Sequence, residues 1–388
     1  MTVDIVQSLA AEALSTFAAA RSNSVPRTPD SGPAVLATLA VETGDAVSAE
    51  MARAALEAWL DHYAGAVDGL ALFGGLAGLF AGASTAASVV PQLRSMAAAI
   101  GARMSASIAE RQAVEGAWHD YDLVSGPAGV VLGLLTDPEC PPALVLPPAR
   151  RLAALCADPE LRALRVRAYA RDDRRAWNLG RVNTGVAHGV GGVVAALRAA
   201  YESAGFRDLR QPLERACRWL VRASVTDARG VLTWPAGALG AGGPGVGAAT
   251  RRQAWCYGTP GVAWCLWDAG RALDDVALRS FALAAMRSYC VNFDGDDHFW
   301  GEPGDALGVC HGAAGVLAIA DAFATHADDP GAAELADRLE AALLSRTDEL
   351  RTLFASDMTL LTGASGILSV LLLRRDARRG WLNQLALR

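Results

Sequence analysis

The stretch GVCHGAAGV, residues 308–316, places Cys310 and His311 side by side in a run of glycine, alanine and valine. This pair could hold a metal ion, act in catalysis or fill space in a tight turn. The two glycines after the pair, Gly312 and Gly315, form a Gly-x-x-Gly signature that recurs along the chain. The fold that this repeat predicts therefore decides what the pair can do.

The Gly-x-x-Gly signature occurs six times, and each copy is followed by an apolar run with helical periodicity. The copies are FGGLAGLF (Gly75, Gly78), VSGPAGVV (Gly126, Gly129), AHGVGGVV (Gly189, Gly192), CYGTPGVA (Gly258, Gly261), CHGAAGVL (Gly312, Gly315) and LTGASGIL (Gly363, Gly366). Their first glycines are 51 to 69 residues apart, which is enough for two helices and their loops. A repeat of this kind predicts stacked units of one supersecondary structure.

Amphipathic runs such as PLERACRWLVRAS precede several signatures, and strand patterns are sparse. We therefore predict an all-α fold of six to seven helical hairpins, each an outer helix, a loop and a glycine-led inner helix. Closing the hairpins into a ring would leave no exposed end and would accommodate 388 residues, which is more than one compact core usually holds. Glycine suits the start of an inner helix because loop backbones converge there and because it permits positive φ.

We expect one domain over residues 1–388, with residues 137–182 as an insertion or appendage within it. That stretch is rich in proline and then in arginine, and it interrupts the rhythm of the repeat. It could be a longer connection with a solvated basic face. It could also be a small appendage that docks an acidic partner or peptide.

Composition narrows the class of protein. The net charge of −6 argues against nucleic acid as a partner. Seven scattered cysteines do not form a disulfide framework, and the N-terminal sequence lacks the pattern of a signal peptide, so we expect a cytoplasmic protein. Residues 69–90 carry no charge, but their many glycines, alanines and serines favour a buried helix over a membrane span.

Polar residues stand beside the four middle signatures, and a ring would bring them together at one end of its cavity. They are Asp122, His188, Cys256, Cys310 and His311. Two cysteines and one histidine are a plausible zinc set, and three protein ligands leave the fourth position open, as in catalytic sites. The acidic stretch FDGDDHFWGEPGD, residues 293–305, is interpreted as a solvated loop rather than a second metal site.

The motifs AWCYGTPG and GVCHGAAG, with YDLVSGPAG and NTGVAHGVGG, resemble those of the lanthipeptide cyclases, the LanC-like proteins. The resemblance extends from about Asp68 to Ile367 and is closest to the stand-alone class I type. It implies an α/α toroid with Zn²⁺ at its centre, and it places the zinc ligands on Cys256, Cys310 and His311.

The activity implied by the resemblance is addition of a cysteine thiol of a ribosomal peptide to a dehydroalanine or dehydrobutyrine, which gives a thioether ring. In the resemblance, His188 matches a candidate acid, and Asp122 matches an aspartate that orients or tunes it. Arg252 matches an arginine that could stabilise developing charge. Tyr257 follows the first zinc cysteine and could support the metal ligands without binding the ion itself. For Asp122 and Arg252, a structural ion pair is the alternative.

The resemblance also implies partners. The substrate would be a dehydrated precursor peptide, with leader and core, made by a separate dehydratase. An exporter in the same biosynthetic complex could hold the protein at the membrane periphery. Two alternatives stay open: addition of glutathione or another external thiol, and a non-catalytic helical scaffold with structural zinc. Protein prenyl transfer would also activate a cysteine thiol, but it requires a basic pocket for a diphosphate and usually an aspartate ligand, and the sequence indicates neither.

Overall fold

The computed structural model describes residues 4–20, 30–44, 46–63, 67–110, 116–172, 175–240, 253–295 and 301–388. Its helices are α1 (Ile5–Ala19), α2 (Gly32–Thr43), α3 (Ala46–Tyr63), α4 (Leu76–Ala86), α5 (Leu93–Glu110), α6 (Pro127–Leu134), α7 (Pro142–Leu155), α8 (Val190–Ala204), α9 (Arg210–Ala223), α10 (Thr259–Leu273), α11 (Val276–Val291), α12 (Pro303–Leu307), α13 (Ala313–Ala327), α14 (Pro330–Leu344), α15 (Thr347–Leu353) and α16 (Ala364–Leu373). Two short antiparallel pairs join β1 (Val182–Asn183) to β4 (Gly237–Ala238) and β2 (Val225–Thr226) to β3 (Leu232–Thr233).

Seven of the helices in the described part of the chain form an inner ring. Each touches the next in the order α2, α4, α6, α8, α10, α13 and α16, and α16 touches α2 again. Seven outer helices cover them: α3, α5, α7, α9, α11, α14 and α1. The predicted all-α toroid of six to seven hairpins is confirmed. The ring closes where the last inner helix, α16, packs on the first inner helix, α2, and on the first outer helix, α1.

The hairpins are ordered differently from the expectation. Each inner helix from α2 to α13 packs most closely on the outer helix that follows it in the chain, not on the one before. The exception is α16, whose outer partner is α1 at the other end of the sequence. The physical reason is the short connection after each inner helix, such as the two residues between α10 and α11, which forces those helices to lie antiparallel.

Inner and outer helices differ in burial as their sequences require. Every residue of α6 and of α16 is buried, because these helices are covered by neighbours on all sides. In contrast, α9 buries one stripe that includes Leu213 and Trp219 and leaves arginines on its outer face. The uncharged stretch 69–90 contains the buried inner helix α4, and none of the described helices has the length and apolar character needed to cross a membrane.

Steric closeness explains the glycine signature better than backbone angles do. A Cβ on the second glycine of each signature would lie 1.8 to 2.3 Å from the carbonyl oxygen six residues earlier. No side chain fits there, because real Cβ atoms essentially never approach closer than 3.0 Å. Of the six first glycines, only Gly258 has positive φ, at 80°, and the others are extended. The expected positive φ is therefore wrong for five of six.

The loops that precede the inner helices are linked to one another around the ring by hydrogen bonds. Successive donors and acceptors are Leu72 N to Val124 O (3.1 Å), Leu123 N to Ala187 O (3.1 Å), Val186 N to Cys256 O (2.9 Å), Cys256 N to Cys310 O (3.4 Å), Cys310 N to Leu361 O (2.8 Å) and Leu360 N to Asp30 Oδ1 (2.7 Å). This network draws the loops to one end of the toroid, where their side chains become neighbours.

The stretch 137–182 contains one regular element of the ring. Residues 142–155 form the outer helix α7, although Pro147 and Pro148 lie inside it. After α7 the chain forms short 3-10 turns and reaches β1. The single domain over residues 1–388 and the insertion stay predictions.

Candidate active site

The three predicted metal ligands lie together where two neighbouring loops meet. Cys256 precedes α10, and Cys310 and His311 form the turn before α13. One ligand atom of each residue lies within 4.8 Å of the others, and Cys310 Sγ is 3.6 Å from His311 Nε2. Cys256 is buried, whereas Cys310 and His311 are half-buried, so the cluster is reached from one side.

A carboxylate orients the histidine of this cluster. His311 Nδ1 is 3.2 Å from Asp305 Oδ1, so the ring turns its other nitrogen, Nε2, toward Cys310. Asp305 lies on α12, at the end of the acidic stretch 293–305 that was interpreted as a solvated loop. The Asp305 side chain is 45% exposed, as a solvated segment requires, but it also contacts His311. The centre of the stretch, residues 296–300 with His298, lies outside the described residues, so the solvated loop stays a prediction there. The signal of Asp305 in the sequence was its distance of six residues from His311.

Cys310 differs electrostatically from the cysteines outside the cluster. A hydrogen bond from Cys256, together with His311 and against the opposing effect of burial, lowers the pKa of Cys310 to about 5. In contrast, burial raises the pKa of Cys140, Cys156, Cys265 and Cys290 to about 12. Cys310 is therefore the thiol that is preferentially ionised at neutral pH, which a metal ligand or nucleophile requires.

The donor set fits zinc. Two thiols that can ionise and an imidazole held by a carboxylate through its second nitrogen are the ligands that zinc prefers, and second-nitrogen contacts of this kind are usual for zinc-bound histidine. Cys256, Cys310 and His311 would hold the ion. With three protein ligands, a tetrahedral ion keeps one position for another molecule.

A second histidine forms a pair with a buried carboxylate. His188 Nδ1 lies 2.6 Å from Asp122 Oδ2, and Asp122 Oδ1 accepts hydrogen bonds from Ser125 N (2.8 Å) and Ser125 Oγ (3.1 Å). Asp122 is 0% exposed, so both of its oxygens are engaged inside the protein. The His188 side chain is 30% exposed, and its Nε2 is not used by this pair. Charge on His188 also lowers the pKa of Cys310, which links the pair to the ligand cluster.

An aromatic residue that the sequence reasoning missed fixes the plane of His188. The Trp118 ring stacks on the imidazole, with centroids 4.6 Å apart and planes 20° apart. Trp118 N donates to Tyr169 Oη at 3.2 Å, and the Arg175 guanidinium lies 4.3 Å from the Tyr169 ring centroid. The arginine-rich stretch 137–182 thus supports the site. In the sequence, the position of this tryptophan four residues before Asp122, in WHDYD, was the one indication that it could lie at the site.

Tyr257 packs on the neighbouring loop and lies close enough to Cys256 and Cys310 that, beyond the effect of burial, their charges raise the pKa of its phenol. Its Oη accepts a hydrogen bond of 2.9 Å from Asn183 Nδ2, and a Cβ at Gly185 would lie 2.7 Å from its ring. Burial raises the pKa of Tyr257, which keeps the phenol neutral. Arg252, the predicted stabiliser of developing charge, lies outside the described residues.

Comparisons with known proteins agree with this architecture. The structure resembles the solved structure of "Nisin cyclase" with a TM-score of 0.78, over 98% of this chain and 96% of that one, at 18% sequence identity. No curated protein sequence matches the chain. The sequence model of the family described as "Lanthionine synthetase C-like protein" matches residues 33–382. The chain therefore belongs to the lanthionine synthetase C-like family.

Proposed function

We propose that the protein is a zinc-dependent cyclase that forms lanthionine or methyllanthionine rings in a ribosomal precursor peptide. The observation that carries this proposal is the convergence of Cys256, Cys310 and His311 within 4.8 Å, beside the electrostatically linked His188–Asp122 pair. Membership of the family and the likeness in fold to a protein named as a cyclase support it.

The reaction needs an ionised thiol. Zinc, when bound, lowers the pKa of a coordinated substrate thiol, so that a thiolate is available at neutral pH. Asp305 holds the His311 ring in place through Nδ1. The hydrogen bond between Cys256 and Cys310 holds the two ligand thiols together and favours ionisation of Cys310.

The reaction also needs a proton at the α-carbon. The sulfur–carbon bond forms at the β-carbon of the dehydro residue, and the electron pair of the double bond moves to give an enolate. His188 donates a proton from Nε2, because Nδ1 is engaged with Asp122. Trp118 keeps the imidazole in plane for that transfer. The thiol loses one proton and the α-carbon gains one, so the ring has the same mass as its precursor.

This chemistry defines the partners. A dehydratase must act before this protein, because the β-carbon of serine or threonine is not electrophilic until water is lost. We propose a precursor peptide with leader and core as substrate, a separate dehydratase and an exporter in one complex, and a cytoplasmic location. None of the seven cysteines of the protein forms a disulfide bond, which is compatible with a reducing compartment.

The test is to give the zinc-loaded protein a dehydrated peptide that contains cysteine and to count the remaining thiols by alkylation. We expect thiols to disappear without a change in the peptide mass. Cys310→Ala should lose at least about tenfold in rate, whereas Cys140→Ala, which changes a half-buried cysteine outside the ligand cluster, should match the parent. Persistent thiols with the loaded parent, or equal rates for both variants, would contradict the proposal.

Two further measurements test the proposed proton donor and the alternative of external-thiol addition. His188→Ala should lose the proton donor, about 100-fold in rate, while it keeps zinc; full activity in this variant would remove the proposed acid. With glutathione present, an increase in peptide mass in place of thiol loss would point to addition of an external thiol.

A further inference from the structure

The last residues of the chain fill the centre of the toroid beneath the ligand cluster. After α16, residues 380–385 form a 3-10 helix that contacts α4 and α6. The side chains of Trp381, Leu382, Leu385 and Leu387 are at most 2% exposed. We call residues 379–388 the central tail. The family match ends at residue 382, so much of the central tail lies beyond it.

The central tail is tied to several inner helices at once. Asn383 Nδ2 donates to Leu135 O at the end of α6 (2.8 Å), and Ser31 Oγ, at the start of α2, donates to Gln384 Oε1. Trp264 Nε1, on α10, donates to Ala386 O at 3.1 Å. Arg388 Nε lies 2.8 Å from Asp268 Oδ1, also on α10. These ties come from opposite sides of the ring, so the position of the central tail is fixed independently of the ligand loops.

One further hydrogen bond joins the central tail to the residue next to Cys256, a predicted metal ligand. Trp255, the residue before Cys256, donates from Nε1 to Leu385 O at 2.7 Å, and both residues are 0% exposed. The Trp255 backbone is held tightly as well. A Cβ on Gly261 would lie 2.0 Å from Trp255 O, and one on Gly315 would lie 2.9 Å from Trp255 Cβ. Trp255 is therefore wedged between α10, α13 and the central tail.

We propose that Trp255, anchored on the Leu385 carbonyl, is a positioning residue that sets the place of Cys256 relative to Cys310 and His311. The two ligand loops are joined to each other by a hydrogen bond of 3.4 Å, from Cys256 N to Cys310 O. The hydrogen bond of 2.7 Å from the Trp255 indole to Leu385 O holds the Cys256 loop from another direction, the centre of the ring. Contacts that orient metal ligands are typically worth 10- to 100-fold in metal affinity. This inference rests on the proposed metal site.

The experiment compares tryptophan variants that lose the same kind of bond. Trp255→Phe loses the bond to the central tail. Trp234→Phe is the matched control: Trp234 is also 0% exposed, and its Nε1 donates to Leu220 O at 2.7 Å, away from the ligands. Zinc affinity is measured by competition with a chromophoric chelator, and Co²⁺-loaded protein reports thiolate coordination by absorption. Thermal unfolding measures the structural cost of each change.

We expect Trp255→Phe to weaken zinc binding by about tenfold or more and to change the Co²⁺ spectrum. Trp234→Phe should lose similar thermal stability and keep the affinity of the parent. Trp264→Phe removes a neighbouring tie of the central tail and should show a smaller loss of affinity in the same direction. If Trp255→Phe does not fold, the comparison of Trp264→Phe with Trp234→Phe decides.

The inference would be overturned if Trp255→Phe bound zinc as tightly as Trp234→Phe does. If Trp255→Phe does not fold, equal zinc affinity of Trp264→Phe and Trp234→Phe would overturn it instead. Either result would leave the proposed function standing. A parent protein that binds no zinc would overturn the proposed function together with the inference.

Discussion

At the scale of single residues, two aspartates hold the two histidines of the site in the same way. Asp122 contacts Nδ1 of His188 at 2.6 Å, and Asp305 contacts Nδ1 of His311 at 3.2 Å. Each carboxylate contacts Nδ1 and leaves Nε2 to other partners, and Nε2 of His311 lies 3.6 Å from Cys310 Sγ. Asp122 is fully buried, whereas the Asp305 side chain is 45% exposed. The more buried carboxylate thus orients His188, which we propose as the proton donor, and metal coordination would further hold the His311 ring in place.

The low pKa of Cys310 has a measurable consequence in the metal-free protein. Its thiolate persists below neutral pH, because a hydrogen bond from Cys256 lowers the pKa to about 5. Only the thiolate reacts with iodoacetamide. We therefore expect alkylation of Cys310 to continue at pH 6 and to fall off as the pH drops through about 5, as read by peptide mass spectrometry.

Cys140 serves as the internal control for this measurement. It is also half-buried, but burial raises its pKa to about 12, so it should remain unmodified across the same pH range. Equal protection of both cysteines at pH 6 would contradict the assigned pKa.

The sequence was informative about residues that stand beside a repeated signature and uninformative about those that do not. Cys256, Cys310 and His188 could be predicted because ring symmetry brings equivalent positions together. Trp118 and Asp305 lie close in sequence to Asp122 and His311, but this proximity alone did not identify them, since their contacts depend on the short 3-10 turn Trp118–Asp120 and on α12, which lie between the repeats.

At the scale of elements, the glycine signature reports contacts within one loop. The second glycine meets the carbonyl six residues earlier in the same repeat, so six repeats carry a visible pattern. The seventh inner helix, α2, starts instead at Gly32, where a Cβ would meet Leu360 N and Met358 O at 2.8 Å. These atoms belong to the last loop of the chain. A contact across the whole sequence leaves no local repeat, which is why the count of hairpins could be predicted only as six to seven.

Adding one methyl group at a signature glycine should damage the ring. A Cβ on Gly315 would lie 1.9 Å from Val309 O and 2.9 Å from Trp255 Cβ, and neither neighbour can move freely. We expect Gly315→Ala to lose about 2 kcal/mol or more of unfolding free energy, as overpacked cores do. Urea denaturation followed by circular dichroism provides the measurement.

The matched control is Gly331→Ala, which also changes a glycine in the first turn of a helix, α14. A Cβ there would meet Asp329 Oδ1 at 3.4 Å and Cys290 Cβ at 3.8 Å, which are ordinary contacts. Alanine is the better helix former, so this variant should be neutral or up to about 1 kcal/mol more stable. Equal effects of the two substitutions would show that the close approach at Gly315 is absent.

At the scale of the whole molecule, the toroid is held closed by contacts between the two ends of the chain. The outer helix α1 packs on the inner helix α16, and Asp4 Oδ2 lies 2.7 Å from Arg375 Nε. At the site end of the ring, Asp30 Oδ1 accepts hydrogen bonds from Gly32 N and Leu360 N, both at 2.7 Å. Asp30 thus joins the first inner helix to the last loop through one buried carboxyl group.

That junction should make the stability of the ring depend on pH. Burial raises the pKa of Asp30 from 3.8 to about 6, against two backbone hydrogen bonds that lower it and with a further increase from Asp357. Since the folded pKa exceeds the unfolded one, the folded state binds the proton more tightly. The contribution of Asp30 to stability therefore decreases as the pH rises from about 4 through 6, and at pH 7 the ionised carboxylate is a cost.

Asp30→Asn keeps an acceptor oxygen for Gly32 and Leu360 but cannot ionise. We expect the parent to gain about 1 kcal/mol of unfolding free energy relative to this variant when the pH is lowered from 7 to 5. Urea unfolding of both proteins at the two pH values measures the difference, in which the other titrating groups cancel. Asp30→Ala removes the acceptor and should be less stable than Asp30→Asn at both pH values, because two buried backbone N–H groups lose their partner. A difference between parent and Asp30→Asn that stays constant from pH 7 to pH 5 would mean that the junction does not titrate in this range.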